Sequence, residues 1–167
     1  HLGAHPRIHE SAVIAPTAVV SGDVTIGPEV QLLHGAIITA EGGPITLGAH
    51  VIVMENAVIR ASSTDPVHIG DHVLIGPGAS VSGATVGDEV FLATGTRVFN
   101  GARIGDRAEV RINAVVHLRT TLPEDAVVPI GWVAVGDPVR ILSPDRHEEI
   151  EEAQRALFEE PSHEPAP

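Results

Sequence analysis

The sequence predicts an all-β solenoid in which short strands wind into triangular coils. Two observations carry this prediction, the six-residue spacing of aliphatic side chains and the scarcity of aromatic residues. Within residues 69–99 the spacing is kept with one deleted residue, at Ile69, Ile75, Val81, Val86, Leu92 and Val98. An amphipathic helix repeats every 3.6 residues and an alternating strand every 2.0, so neither explains the pattern. A period of six indicates one strand and one bend per repeat, with three repeats to a coil.

The composition agrees with a narrow core filled by small and branched side chains. The 167 residues suffice for one domain, and 43% of them are hydrophobic. Three Phe, one Trp and no Tyr supply little of the aromatic bulk that a globular core normally uses. Val, Ile, Ala and Gly replace that bulk, which favours like side chains stacked from one coil to the next.

The six-residue repeat, or hexad, can be followed through most of the chain. Nineteen hexads run from Ile14 to Val128, interrupted by the insertions AEGGP and ASSTDPVH, and they make about six coils. We therefore predict a β-helix domain over residues 8–142. Gly often follows the aliphatic residue, which indicates a corner with an unusual φ or no room for a Cβ. A β-sandwich would not keep this register through eight successive repeats.

A helix and a tail are predicted after the repeats. Ser143 can cap a helix over residues 143–160, with Pro144 at its first position and acidic residues in its first turn. Its apolar face comprises Ile150, Ala153, Leu157 and Phe158, and we expect that face to pack along the coils. Residues 161–167 read as a flexible tail.

Charge and composition narrow the classes of partner. A net charge of −12 argues against binding to nucleic acid or to an anionic membrane surface. No apolar run reaches the ~18 residues of a membrane span, and no signal-peptide pattern opens the sequence. The absence of Cys excludes disulfides and thiolate metal sites. The expectation is a cytoplasmic protein.

Several motifs give a more specific resemblance. The segments GDVTIG, GGPITLG, NAVIR, IGDHVLIGPGA, NGARIGD and VGDPVRIL resemble the gamma-class carbonic anhydrase family of hexapeptide-repeat proteins, from about Ile8 through the C-terminal helix. The resemblance implies a left-handed parallel β-helix with the C-terminal helix packed along it, assembled as a homotrimer. It also implies a zinc ion at each subunit interface, held by two His of one chain and one of its neighbour. Such a zinc activates water to attack carbon dioxide.

The matching positions in this chain do not carry the zinc ligands. The resemblance places Arg60, Pro77 and Ser82 at the three His positions. None of these residues supplies an imidazole. We therefore expect no zinc, no other cofactor and no zinc-dependent hydration of carbon dioxide. Two further family segments are also altered, to Thr39, Ala40 and Glu41 and to Met54 and Glu55.

The hexad register predicts what fills the space instead. Arg60, Ser82, Phe99 and His117 follow equivalent aliphatic residues and should form one column, with Thr39 above. A second column comprises His34, Glu55, Pro77 and Thr94, and the resemblance implies that the two columns face each other across the interface. The hypothesis is an interface pocket for a small anion, formed by Thr39, Glu41, Glu55, Arg60, Ser82 and His34. A salt bridge from Arg60 to Glu55 or Glu41 of a neighbouring chain, which only fixes the register, is the alternative.

Histidines offer a candidate base and little else. His117 has a pKa suited to proton transfer near neutrality, although a partly buried polar residue hydrogen-bonded to backbone is the favoured interpretation. His50 and His72 share a column with Glu29, Glu89 and Arg107, which is typical of a solvated corner. Two stacked His could chelate an adventitious metal only with a third ligand, so no metal site is predicted.

Three function classes follow from these observations. The first is a divergent trimer that binds a small anion or runs another reaction in the interface pocket. The second is a hexapeptide acyltransferase with a His base, an analogy at the level of the fold. It calls for a basic groove, and the chain has only ten Lys and Arg. The third is a non-catalytic assembly subunit, in which Arg60 and Glu55 fully satisfy each other.

Overall fold

The computed structural model describes residues 3–159 and shows a left-handed parallel β-helix with one C-terminal helix. Within these residues there are twenty short strands and the helix α1 (His147–Glu159). The strands are β1 (Arg7–Ile8), β2 (Val13–Ile14), β3 (Val19–Ile26), β4 (Gln31–Leu32), β5 (Ile37–Leu47), β6 (Ile52–Val53), β7 (Val58–Ala61), β8 (Val67–Ile69), β9 (Leu74–Ile75), β10 (Ser80–Ser82), β11 (Thr85–Val86), β12 (Phe91–Leu92), β13 (Arg97–Val98), β14 (Arg103–Ile104), β15 (Glu109–Val110), β16 (Val115–Val116), β17 (Thr121–Leu122), β18 (Val127–Val128), β19 (Val133–Val135) and β20 (Arg140–Leu142).

The strands form three faces of a triangular prism. Face A contains β1, the second halves of β3 and β5, and then β8, β11, β14 and β17. Face B is the seven-stranded sheet of β2, β4, β6, β9, β12, β15 and β18. Face C contains the first halves of β3 and β5, followed by β7, β10, β13, β16 and β19. Because β3 and β5 continue around the corner from face C to face A, these two faces join into one sheet.

The core consists of the hexad aliphatic residues, stacked in register along each face. On face C, Ile38 pairs with Ile59, and Val81 follows in the next coil. All three are fully buried. Parallel neighbours lie ~4.8 Å apart, so each side chain contacts its equivalent in the coils above and below. This stacking excludes water from a narrow interior without aromatic residues.

The glycine corners have a steric cause. A Cβ added at Gly70 would collide with the carboxylate of Asp88, which accepts a hydrogen bond from the backbone N–H of Asp71 at 2.8 Å. Gly70 itself has no positive φ, and the left-handed residue of this corner is His72, with φ of 55°. Of the two reasons predicted for these glycines, the lack of room for a Cβ is therefore the one that applies at Gly70.

The structure corrects the predicted number of coils. Each face has seven parallel strands, so there are about seven coils rather than six. The extra strands are β1 and β19, whose hexads lay outside the counted run. Strands extend from Arg7 to Leu142, while the division of the chain at 8–142 and 143–160 remains a prediction. The predicted tail 161–167 lies outside the described residues, as does residue 160.

Helix α1 begins later than predicted. Ser143 does not cap it, because its hydroxyl bonds the Asp145 carboxylate within a turn closed by Arg146 N–H donating to the Ser143 carbonyl at 3.1 Å. The first helical bond runs from Ile150 N–H to the Arg146 carbonyl, also at 3.1 Å. No helix among residues 3–159 is long and apolar enough to cross a membrane.

The predicted apolar face of α1 is correct except at its last residue. Leu157 is buried with Val135 and Leu142, and Ile150 and Ala153 pack against the same cluster. Phe158, by contrast, is 73% exposed. Phe158 is rotated by about 100° from Leu157, at the margin of the apolar stripe, and does not pack into this cluster.

One buried hydroxyl yields a stability prediction. Thr96 is fully buried, its Oγ1 has no hydrogen-bond partner among residues 3–159, and its neighbours in the adjacent coils are Ala79 and Ala114. Thr96→Val should raise the free energy of unfolding by about 1 kcal/mol, because the orphaned hydroxyl is removed. Equilibrium unfolding in urea measures the change.

The control is the equally buried Thr120, whose Oγ1 accepts a hydrogen bond from Gly136 N–H at 3.0 Å. Thr120→Val leaves that N–H unpaired and should lower stability by about 1–3 kcal/mol. Equal effects of the two substitutions would contradict the assignment of Thr96 as unsatisfied.

Candidate functional site

The first predicted column exists and lies at the corner between faces C and A. Arg60 pairs in register with Thr39 on one side and with Ser82 on the other. Phe99 and His117 continue the line in the next two coils, and their rings stack with centroids 5.0 Å apart at 15°. We call these five residues the arginine column. The hexad register alone therefore predicted which side chains stand next to one another.

The second predicted column lies at the opposite edge of face C, at the corner between faces B and C. Gly78 N–H donates to the Glu55 carbonyl and Gly95 N–H to the Pro77 carbonyl, both at 3.0 Å, which sets the register of this corner. We call His34, Glu55, Pro77 and Thr94 the proline column. Pro77 and Ser82 are five positions apart across face C, a distance of about 15 Å. A single chain therefore does not bring the two columns together.

Arg60 carries an exposed cation at the centre of the arginine column. Its side chain is exposed, and it makes no ion pair with any carboxylate of residues 3–159. Glu41 and Glu55 are also exposed and take part in none of those ion pairs. The predicted pairing of Arg60 is with a neighbouring chain, so it remains a prediction.

The side chains of His34 and Ser82 make few hydrogen bonds within residues 3–159. The Nδ1 atom of His34 lies 2.9 Å from the Thr17 hydroxyl, which also accepts a hydrogen bond from Gly35 N–H. Ser82 is half-buried beside Arg60, and no hydrogen bond of its hydroxyl is found within residues 3–159. The Ser82 hydroxyl can therefore serve a ligand next to the guanidinium.

His117 is held at both ring nitrogens. It is 6% exposed, and its Nδ1 accepts a hydrogen bond from Leu118 N–H at 2.8 Å. Its Nε2 lies 3.0 Å from the side-chain amide of Gln154 on α1. Since Nδ1 accepts, the proton of the neutral ring must be on Nε2. The nearest Gln154 atom is the amide nitrogen, also a donor, so a hydrogen bond between them requires the amide to be turned by 180°, with its oxygen towards the ring. Burial lowers the pKa of His117 below its ordinary value of 6.5, which agrees with a neutral ring.

A cavity of about 500 Å³ adjoins His117 beneath α1. Its apolar wall is formed by Phe99, Leu118 and Phe158. Glu151, Gln154 and Arg155 complete the lining from the helix. His117 therefore faces this cavity with its Nε2 already bonded to Gln154, an arrangement that suits a structural role better than that of a free base.

His50 and His72 occupy the predicted mixed-charge corner. Their rings stack with centroids 4.8 Å apart at 13°. Among residues 3–159 no group of three or more His, Cys, Asp or Glu side chains is arranged to hold a metal ion. No metal site was predicted for this pair, and residues 3–159 supply no third ligand beside it.

Two contacts at the site were missed by reasoning from sequence. The Arg97 guanidinium donates from Nη1 to three backbone carbonyls at the proline column, and Gln154 reaches His117 across 37 residues. The hexad register places Arg97 on the outer surface of face C but says nothing of where its long side chain turns. The docking of α1 lies outside the repeat, so no periodic signal could have located Gln154.

Comparison with known proteins identifies the kind of protein. The chain is 29% identical over 151 residues to Gamma carbonic anhydrase 1, mitochondrial, of Arabidopsis thaliana, with 87% of this chain and 53% of that protein covered. No family model matches. A solved candidate acetyltransferase of Bacillus cereus superposes with a TM-score of 0.74 at 22% identity, covering 95% of this chain and 91% of that one. The sequence of this chain is therefore similar to those of gamma carbonic anhydrases, and its fold is that of hexapeptide-repeat proteins.

A further relative is named as an assembly protein. The gamma carbonic anhydrase-like chain is 33% identical over 141 residues to the carboxysome assembly protein CcmM of Synechocystis, with 77% of this chain and 20% of that protein covered. The chain spans about half the length of the first curated relatives it matches. Since the Arabidopsis relative is mitochondrial, the cytoplasmic location expected from the sequence remains a prediction.

The buried imidazole predicts a pH dependence of stability. Because folding lowers the pKa of His117 below 6.5, the unfolded chain takes up this proton first as the pH falls. The contribution of neutral His117 should be fully present above pH 6.5 and be lost below it. His117→Asn keeps a hydrogen-bond acceptor for Leu118 N–H but does not titrate. Urea unfolding of both proteins at about pH 7.5 and pH 5.5 should show the larger loss in wild type; equal losses would assign the effect to other groups.

Proposed function

We propose that the chain forms a homotrimer in which Arg60 lines a pocket at each subunit interface and binds a small anion, and that it is not a zinc-dependent carbon dioxide hydratase. One observation carries the proposal. Arg60 is an exposed guanidinium beside the Ser82 hydroxyl, and it makes no ion pair within residues 3–159 of a chain with net charge −12. With so many carboxylates available, a cation held apart from them favours an external anion.

The outer surfaces of faces A and B differ in polarity, and this difference supports the proposed trimer. Face A is polar along its outer surface, at Arg7, Thr25, Thr46, His68, Thr85, Arg103 and Thr121. The outer surface of face B and the corner next to face C expose large apolar side chains, at Val13 (66%), Phe91 (41%), Ile112 (45%) and Ile130 (61%). Val19 (48%) and Ile37 (37%) are further exposed apolar side chains, on face C, and exposed apolar patches of this kind favour self-association. Members of this family are typically trimers, and a closed ring uses two different surfaces of each subunit.

The trimer supplies the second half of the pocket in this proposal. Arg60 and Ser82 stand at one edge of face C, and Glu55 and Pro77 stand at the other edge. In a threefold ring, the edge with Arg60 can face the other edge of the neighbouring subunit. Glu55 then either neutralises Arg60 or leaves room for an anion, and the first case is the purely structural alternative.

Zinc does not fit the residues present. The motif match assigns the three ligand positions to Arg60, Pro77 and Ser82, none of which offers an imidazole, thiolate or carboxylate. The guanidinium of Arg60 also repels a cation electrostatically. We therefore infer no reaction step through zinc at this interface.

The anion site is tested by substituting Arg60. Anions that bind only the folded trimer raise its melting temperature with concentration. Acetate, malonate and sulfate, titrated at constant ionic strength, should raise the melting temperature of wild type because they bind at Arg60. Arg60→Met should weaken the apparent affinity at least tenfold, a loss of about 1.4 kcal/mol, while leaving a trimer by light scattering.

Arg103→Met is the matched control, since Arg103 is also exposed and without an ion pair among residues 3–159 but lies on face A. It should behave as wild type. A monomeric wild type, or equal anion responses of Arg60→Met and Arg103→Met, would refute the proposal.

The assignment of the three zinc-ligand positions is tested by placing histidine at each of them. The triple variant Arg60→His, Pro77→His and Ser82→His should bind about one zinc per chain at the trimer interface, because three imidazoles suffice for an open zinc site. Wild type should bind none tightly and should show no hydration of carbon dioxide above background with added zinc. Stoichiometric zinc in wild type, measured by elemental analysis after dialysis, would contradict the inference.

The assembly-subunit alternative has one observation of its own, the similarity to the carboxysome assembly protein CcmM. It predicts that Arg60 and Glu55 satisfy each other and that Arg60→Met destabilises the trimer without altering any anion response. The acyltransferase alternative is supported only by structures that are 22–24% identical, which show the fold alone.

A further inference from the structure

The cavity beneath α1 is bordered by apolar side chains that residues 3–159 leave uncovered. It measures about 500 Å³ and adjoins His117, and its apolar wall is formed by Phe99, Leu118 and Phe158. Phe158 is 73% exposed and Phe99 is 38% exposed. We call these three wall residues the helix patch. An exposed apolar patch beside an open cavity is typical of a surface that binds another protein surface.

A second apolar patch lies at the opposite edge of face C, at the corner between faces B and C. Phe91, Ile112 and Ile130 are 41%, 45% and 61% exposed. They border a smaller cavity of about 290 Å³. We call these three residues the isoleucine patch. The chain therefore presents two separate apolar patches at opposite edges of the same face.

The two patches lie at the same height along the coils. Ile112 and His117 stand on either side of β16 within one coil. Phe99 belongs to the adjacent coil, where its N–H donates to the Val116 carbonyl at 3.0 Å. In a ring whose axis runs parallel to the coils, equivalent residues have the same height in every subunit. The helix patch of one subunit can therefore meet the isoleucine patch of the next, as a head-to-tail interface requires.

The charges beside the two patches are compatible with a contact between them. Glu151 and Arg155 line the cavity beneath α1 and form an ion pair at 3.3 Å. Glu109 and Arg111 line the smaller cavity and form another at 3.6 Å. Each patch thus has one positive and one negative group at its rim. Opposite charges can therefore face each other when the patches meet.

We propose that α1 is part of the subunit interface, and that Ile112 of the neighbouring subunit fills the cavity beneath the helix. Phe99 and Phe158 contact that side chain, so the neighbour covers two aromatic rings that their own chain leaves exposed. Buried aromatic and aliphatic anchors of this kind contribute most of the stability of an interface. The contact rests on the proposed trimer, but it lies at the coils of Phe99 and His117 and involves neither Arg60 nor an anion.

Engineered cysteines locate the contact, because the chain has no Cys of its own. The double variant Phe158→Cys and Ile112→Cys should be joined by a short bismaleimide into covalent dimers and trimers. A link within one chain keeps the mass of a monomer, so only contacts between subunits give larger species. Phe158→Cys combined with Ile8→Cys, on the first strand of face A, should give monomers only. Monomers only from both pairs in a trimeric protein would refute the contact.

Substitutions measure how much the contact stabilises the trimer. Ile112→Ser should keep the fold, because Ile112 lies at the surface, and should raise the concentration at which the trimer half-dissociates at least tenfold. Phe158→Ser should act in the same direction. Ile8→Ser is the matched control, since Ile8 is 44% exposed and Ile112 is 45% exposed, and it should leave dissociation unchanged. Equal effects of Ile112→Ser and Ile8→Ser would also refute the contact.

The oligomeric state of wild type distinguishes failure of this contact from failure of the trimer. A wild type that stays monomeric in light scattering at every concentration would refute both proposals. A trimer that binds anions at Arg60 but does not respond to Ile112→Ser would refute only the contact at α1. Cross-linked trimers without any anion response at Arg60 would support the contact and refute only the anion pocket.

Discussion

The stacking of one aliphatic side chain on its equivalent in the next coil is the constraint on which this structure depends. Ile38, Ile59 and Val81 show it on face C, where each is fully buried and each is paired in register with the next. A slip by one residue would expose the aliphatic residue and bury its polar neighbour. The burial of a whole column thus opposes any change of register. The core residue next to each outward-facing residue therefore sets the height of that residue along the coils.

The control of outward positions by the core explains which parts of the structure could be predicted from sequence. The arginine column was predicted because Arg60, Ser82 and His117 each follow a core residue by one position, and the core residues alone set their heights. The same rule failed where the core stops dictating position. Ser143 lies after the last repeat, and its hydroxyl bonds Asp145 rather than the helix. Phe158 stands at the margin of the predicted stripe, and the helical period does not decide whether the coils reach far enough to cover it.

The direction in which long side chains point also could not be predicted from the sequence. The register puts Arg97 next to Ser80, but three carbonyls at a corner determine where its guanidinium points. Those carbonyls turn outward because the chain bends at this corner, where Gly78 and Gly95 have φ of 65° and 70°. The acceptors are therefore backbone carbonyls brought together by the bend, and residue types alone do not predict them. His117 shows the same limit, since its partner Gln154 comes from α1.

The separation of core from corner explains how such a scaffold can change its chemistry. Substituting Arg60 should alter neither the buried columns nor the backbone ladder, since its side chain is exposed. An arginine at this position is therefore compatible with the fold. Both a zinc ion and a guanidinium attract anions. Under the function proposed above, an arginine in place of a metal would keep an anion-binding position at the interface, without a metal to activate water.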